Sequence, residues 1–188
     1  MTSPVTHKPI RVLVIDDEPG LRDMLNFGLT DCGYHVATAA SGEEGIDMVR
    51  HGAFALVVCD IMMPGKDGVE VLEIIKNMQP EIEVIIATGF ATLESAVESM
   101  RKGAFDYITK PYSLDQLCLI FEKALEHRRL KKRVDGLERL IAPMQAILEC
   151  VASFIKDSHA LDQTQKEELK RLQGHAEVAF QLVNGILE

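Results

Sequence analysis

The sequence is poor in positive charge, has no long apolar run, and has no cysteines spaced for a metal or redox motif. It carries 20 Lys and Arg against 29 Asp and Glu, a formal net charge of -9. General nucleic-acid binding needs a basic surface, so this balance argues against it. No apolar stretch approaches the ~20 residues of a membrane span, and the N-terminus lacks the pattern of a signal peptide. Cys32, Cys59, Cys118 and Cys150 are scattered and include no C-x-x-C pair. Such cysteines are expected to be small core residues in a reducing cytoplasm. What is present, 47% hydrophobic and 26% charged residues in a chain of 188, is the composition of a soluble globular protein. The length allows one ordinary domain and a smaller attachment.

Residues 1–9 are polar and read as a loose tail. Beyond them, apolar β-branched runs at 10–15, 34–39, 54–59, 82–87 and 105–108 predict strands. Helical patterns lie between these runs. Leu21, Met24, Leu25 and Leu29 recur at helical spacing behind Pro19, which suits a first helical turn. Ser41 with Glu44 predicts a capping box opening a helix to about Arg50. Further helices are expected over 69–78 and 92–101, and Ser113 caps one that shows no convincing stop. Its first apolar positions, Leu114, Leu117, Ile120, Phe121 and Leu125, would pack on the sheet. Strands alternating with helices through short loops call for a parallel sheet covered on both faces.

Asp16, Asp17, Asp60, Thr88 and Lys110 all fall at the C-terminal ends of predicted strands. In an open α/β sheet that rim holds the ligand crevice. Three neighbouring carboxylates repel one another unless a cation sits among them. Oxygen ligands suit Mg²⁺, which often bridges carboxylate and phosphate. With the charge neutralised, Asp60 could attack phosphorus as a nucleophile. The Lys110 ammonium and the Thr88 hydroxyl would hold the phosphoryl oxygens. Each residue alone has a plainer role, as helix cap, strand residue or surface charge. Five together on one rim favour a site.

Four segments carry a resemblance: Ile15 to Pro19, Asp60 to Gly68, Ala87 to Gly89, and Asp106 to Pro111. They look like the receiver domain of bacterial two-component response regulators, over about residues 10–126. The resemblance implies a flavodoxin-like fold and a phosphoaspartate at Asp60, with a phosphohistidine on a sensor histidine kinase as donor. It implies direct Mg²⁺ binding by Asp17, Asp60 and the Met62 backbone carbonyl, with Asp16 acting mainly through water. Lys110 would hold the phosphoryl group. Thr88 and Tyr107 would form the switch pair, the hydroxyl drawn to the phosphate and the ring turning inward behind it.

Residues 127–188 read as a separate linker helix and helical hairpin. The charge run from His127 to Arg133 is diluted by Glu122, Glu126, Asp135 and Glu138, so a solvated helix face is expected there. Leu130, Val134, Leu137, Ile141, Met144, Leu148, Val151 and Ile155 then form a heptad seam, weakened by Gly136 and expected to kink at Pro143. After a break at 156–162, Leu169, Leu172, Ala176, Ala179, Val183 and Ile186 form a second. One hairpin cannot bury both seams, whereas a homodimer through 130–188 could, as an all-α four-helix bundle.

The segments from Ile141 to Leu148, Asp162 to Leu169 and Leu182 to Glu188 are similar to the dimerisation and histidine-phosphotransfer domain of sensor kinases. At the position of that family's phosphorylated histidine stands Glu138, which cannot form a phosphoimidazole. No ATP-binding domain follows, so the expected protein is a phosphoacceptor and not an enzyme, with another kinase or regulator as output partner. The sequence leaves two alternatives open. The chain could be the N-terminal piece of a longer kinase-like protein, or a phosphorelay intermediate using His159 or His175.

Overall fold

A computed structural model describes residues 9–89, 92–157 and 162–187. Its strands are β1 (Arg11–Ile15), β2 (His35–Ala39), β3 (Leu56–Cys59), β4 (Glu83–Thr88) and β5 (Asp106–Thr109). Its helices are α1 (Pro19–Asp31), α2 (Gly42–His51), α3 (Gly68–Met78), α4 (Leu93–Arg101), α5 (Leu114–Asp157) and α6 (Gln163–Leu187). The chain divides into two compact units between Arg128 and Arg129.

In the first unit the strands form one sheet in the order β2-β1-β3-β4-β5, and every neighbouring pair is parallel. This is the expected flavodoxin-like sheet. Side chains alternate across a strand, so each strand feeds two cores. Leu13, Ile15, Val57 and Ile86 pack with Ile46 and Val49 of α2 and with Leu72 and Ile75 of α3. Val12, Val14, Val58 and Ile85 pack with Leu25 and Leu29 of α1 and with Leu117 and Phe121 of α5. Burial on both faces is why these strands read as continuous apolar runs. Phe121 is fully buried and meets the Tyr34 ring edge-on at 5.3 Å. Burying a side chain of that kind contributes about 1.5–3 kcal/mol.

The helix starts follow local chemistry. Ser41 Oγ accepts the Glu44 N–H at 3.3 Å, while Glu44 Oε2 accepts the N–H of Ala40, one residue before the expected partner. Asp67 Oδ1 accepts the N–H groups of Val69 and Glu70 at 2.9 and 2.8 Å and opens α3. Thr92 and Ser95 make a reciprocal box on α4, and Ser113 and Gln116 do the same before α5. A cap of this kind is worth about 1 kcal/mol. At the start of α3 a Cβ on Gly68 would collide with the carbonyl oxygen of Asp60. Glycine there lets α3 begin directly against the end of β3.

One reading of the sequence is corrected. Only Cys59 is a core cysteine; Cys32 and Cys150 are exposed, and Cys118 is half-buried. Cys32 is the C-cap of α1, past the last buried residue of that helix, Leu29, so it faces outward. The charge run keeps the expected solvated face, with His127, Arg129, Lys132 and Arg133 exposed. His127 Nδ1 lies 2.9 Å from the carboxylate of Glu83, which is buried and also pairs with Lys76 Nζ at 3.2 Å. Glu83 had been hidden inside an apolar strand pattern.

In the second unit α5 does not end at Pro143. Before α6, Asp162 Oδ1 accepts the N–H of Gln165 at 2.8 Å, and Gln165 Oε1 accepts that of Asp162 at 3.2 Å. Of the two seams, Leu130 is 49% and Leu172 59% exposed, while Leu137, Ile141, Met144, Leu148, Leu169 and Ala176 are half-buried. The side chains of Val151, Ile155, Ala179, Val183 and Ile186, and the whole of His159, lie outside the described residues. Glu138 and His175 are exposed.

Candidate functional site

The strand order turns outward in opposite directions from β1 and β3, which makes the C-terminal ends of that pair the switch point where an open α/β sheet places its ligand site. Asp16 follows β1 and Asp60 follows β3, whose last residues Ile15 and Cys59 are partners in register. The Asp60 N–H donates to the Ile15 carbonyl at 2.9 Å, tying the two strand ends together. Asp16 and Asp60 are 3% and 7% exposed, while Asp17 is open to solvent. Each of the three offers an oxygen within 4.8 Å of the others.

Lys110, just beyond β5, enters from across the sheet. Its ammonium lies 2.6 Å from Asp16 Oδ2 and 2.6 Å from Asp60 Oδ2. The remaining oxygens accept backbone donors, Asp16 Oδ1 from Glu18 N–H at 2.9 Å and Asp60 Oδ1 from Met62 N–H at 3.2 Å. Both buried carboxylates are therefore oriented from two sides. Burial works to lower the Lys110 pKa, but hydrogen bonds and charge from Asp16 and Asp60 outweigh it and hold it above the ordinary lysine value. Burial raises Cys59 far above the usual thiol range, helped by the charge of Asp60, so that thiol stays protonated. Burial likewise pushes Tyr112, beside Lys110, up to about 12.

Thr88 closes β4 and is fully buried; its carbonyl accepts the Lys110 N–H at 2.9 Å. Tyr107 is half-buried on β5, and its hydroxyl lies 3.0 Å from Ser95 Oγ on α4. Met62 is held next to Asp60 through its backbone while its side chain is exposed. The fold thus gathers Asp16, Asp17, Asp60 and Lys110 into one cluster. Tyr107 is engaged with α4, and Glu138 belongs to the second unit.

Two residues escaped the sequence reading. Arg22 donates to the Asp16 carbonyl at 2.6 Å, and no motif announces an arginine one helical turn after the strand end. Ser95 did leave a signal, three residues after Thr92, but that spacing speaks of a helix cap and says nothing of Tyr107. The donor set itself is three carboxylates offering only oxygen, which fits a hard divalent cation of the Mg²⁺ type.

A doubly wound parallel sheet with an acidic cluster and a lysine at its switch point defines a class of phosphoryl-accepting signalling domains. Residues 12–122 match the family model of the response regulator receiver domain, and the chain belongs to that family. Among curated relatives, the transcriptional regulatory protein ZraR of Escherichia coli O157:H7 is 40% identical over 126 residues, 67% of this chain and 29% of that protein. The chain therefore spans less than a third of the length of such relatives. A receiver domain protein from Methanospirillum hungatei JF-1 has 31% identity and a TM-score of 0.65, over 66% of this chain and 99% of that one. The beryllofluoride-activated NtrC4 receiver domain dimer has 35% identity and a TM-score of 0.60, over 63% and 98%.

Proposed function

We propose that this chain is a response regulator that takes a phosphoryl group onto Asp60 from a phosphohistidine of a sensor kinase in the cytoplasm. The observation that carries the proposal is the Asp60 carboxylate itself. It is buried, lies within reach of Asp16 and Asp17 oxygens, and touches Lys110 at 2.6 Å. An Asp60 oxygen attacks phosphorus, the phosphorus–nitrogen bond breaks, and the imidazole leaves. Asp16, Asp17, Asp60 and the Met62 carbonyl would hold Mg²⁺, which when bound offsets the negative charge of the incoming group. Lys110 and Thr88 hold the phosphoryl oxygens by charge and hydrogen bond. Movement of Thr88 toward the new phosphate frees space for the Tyr107 ring, making β5 and α4 the responding face.

Residues 127–188 serve as a protein-binding output that dimerises by pairing the two seams into a four-helix bundle. Glu138 stands where the kinase hairpin carries its phosphorylated histidine, so this hairpin acts by contact and not by phosphotransfer, with a kinase or another regulator as partner. Neither nucleic acid nor a membrane is part of this reading; among the described residues no helix is long and apolar enough to cross a membrane.

The test is treatment with a small phosphodonor and Mg²⁺, read by intact mass. Wild type should gain one phosphoryl group and Asp60→Ala none; a variant that still labels overturns the assignment and points to a histidine such as His175. Sedimentation of the same samples reads the dimer. A monomer at micromolar concentration overturns the bundle but leaves Asp60 untouched.

A further inference from the structure

Cys32 and Cys118 are 86 positions apart in the chain, yet their sulfurs lie 3.6 Å from each other, with the Cys118 S–H donating to Cys32. Both are free thiols within the first unit. Cys32 is the exposed C-cap of α1. Cys118 sits in the opening turns of α5, next to the fully buried Leu117 and half-buried against the same core. Two thiols on different elements, in van der Waals contact with one open to solvent, form a dithiol site that neither phosphotransfer nor core packing requires.

We propose that Cys32 and Cys118 are a modification site, closed to an intramolecular disulfide by peroxides. Exposure makes Cys32 the sulfur that meets the oxidant. It attacks one peroxide oxygen, the O–O bond breaks, water or an alcohol leaves, and Cys32 becomes a sulfenic acid. Cys118 then attacks the Cys32 sulfur; the S–S bond forms, the S–O bond breaks, and the leaving oxygen departs as water with the Cys118 proton. Two electrons pass from the thiols to the peroxide, and a dithiol reductant reverses the change.

The surroundings assign the order of the two cysteines. Burial, the Cys32 contact and the carboxylates of Asp115 and Glu122 push the Cys118 thiol up to about 11, so it remains protonated and inert until a sulfenic acid forms beside it. The other cysteines differ. Cys59 is buried with its thiol donated to the Asp60 carbonyl at 3.2 Å, and Cys150 is exposed in the second unit. Closing the bond ties the end of α1 to the first turns of α5, the helix that also supplies Leu117 and Phe121 to the core. Oxidation would thus pin one face of the receiver without touching Asp60.

The test is brief exposure of the full native chain to hydrogen peroxide, followed by alkylation and mass measurement before and after dithiothreitol. The expected product has lost two hydrogens and two alkylatable thiols, and a non-reducing peptide map joins the segments holding Cys32 and Cys118. Cys150→Ser should behave as wild type, while Cys32→Ser and Cys118→Ser should each fail to give the product. An oxygen adduct on Cys32 with no cross-link, or cross-links only between chains, overturns the proposal. A phosphodonor assay on the oxidised protein keeps the two readings apart, because Asp60 should still label.

Discussion

The two units treat their apolar residues in opposite ways. In the first, Val12, Leu13, Val14 and Ile15 disappear between helices on two faces, so one strand anchors two cores at once. In the second, Leu130, Val134 and Leu172 are exposed and the other described seam positions are only half covered. A sheet closed on both sides supplies its own partner for every apolar side chain. A pair of amphipathic helices has a surface left over, and its stability is tied to whatever covers that surface. The first arrangement can hold a buried carboxylate in place, and the second leaves a face that asks for a partner.

The sharpest attempt to break this contrast is to remove one side chain from each unit. Phe121→Ala should cost about 3–5 kcal/mol of receiver stability, read by urea unfolding of the full chain. Leu172→Ala should cost far less in the same experiment but should raise the concentration at which the chain dimerises. Similar losses in both units, or no change in dimerisation, would erase the distinction.

A second probe removes the lysine of the cluster. Lys110→Met leaves Asp16 and Asp60 without their cation, so the variant should gain more melting temperature from Mg²⁺ than wild type does, and bind the ion several-fold more tightly. Equal responses would mean that the ammonium does not compete for those oxygens. The same pair reports on pH. Folding raises the Lys110 pKa, so the folded protein holds this proton more tightly than the unfolded chain does. Its contribution is complete below the unfolded value of about 10.4 and is lost as pH rises through the higher folded value. Above neutral pH, the stability gap between wild type and Lys110→Met should therefore stay constant until strongly alkaline solution and narrow there.

The smallest effect is expected at Ser95→Ala. It removes the partner of the Tyr107 hydroxyl and one half of the α4 cap, at a cost of about 1–2 kcal/mol. Because both losses lie in the receiver, sedimentation of the unphosphorylated chain should be unchanged. A shift in the dimer would show that this tie reaches further than its contacts.

Much of the receiver was legible because chemistry and chain order coincide there. Apolar runs mark strands buried on both faces, and the first residues past each run land on one rim, so the chain alone places Asp16, Asp60 and Lys110 there. Pairings made by folding alone left no such trace. Cys32 and Cys118 are separated by most of the receiver, and cysteine spacing carries no information about two helices meeting. Glu83 was masked by its apolar neighbours, since a single charge inside a strand pattern does not reveal the lysine and histidine that make its burial tolerable. Arg22 acts through a backbone carbonyl, a contact available to any long cation on that turn. In the helical unit the seams could be read, but a repeat specifies that a surface wants covering and not what covers it.

The lysine bridging two buried carboxylates has one more implication. A pocket of like charges would ordinarily swell or take up protons while waiting for its cargo. Here a tethered side chain keeps the negative groups drawn together at rest. On the proposed reading, arrival of the donor would begin as an exchange, in which a resident ammonium loosens its hold on one oxygen so that the same oxygen can reach for phosphorus.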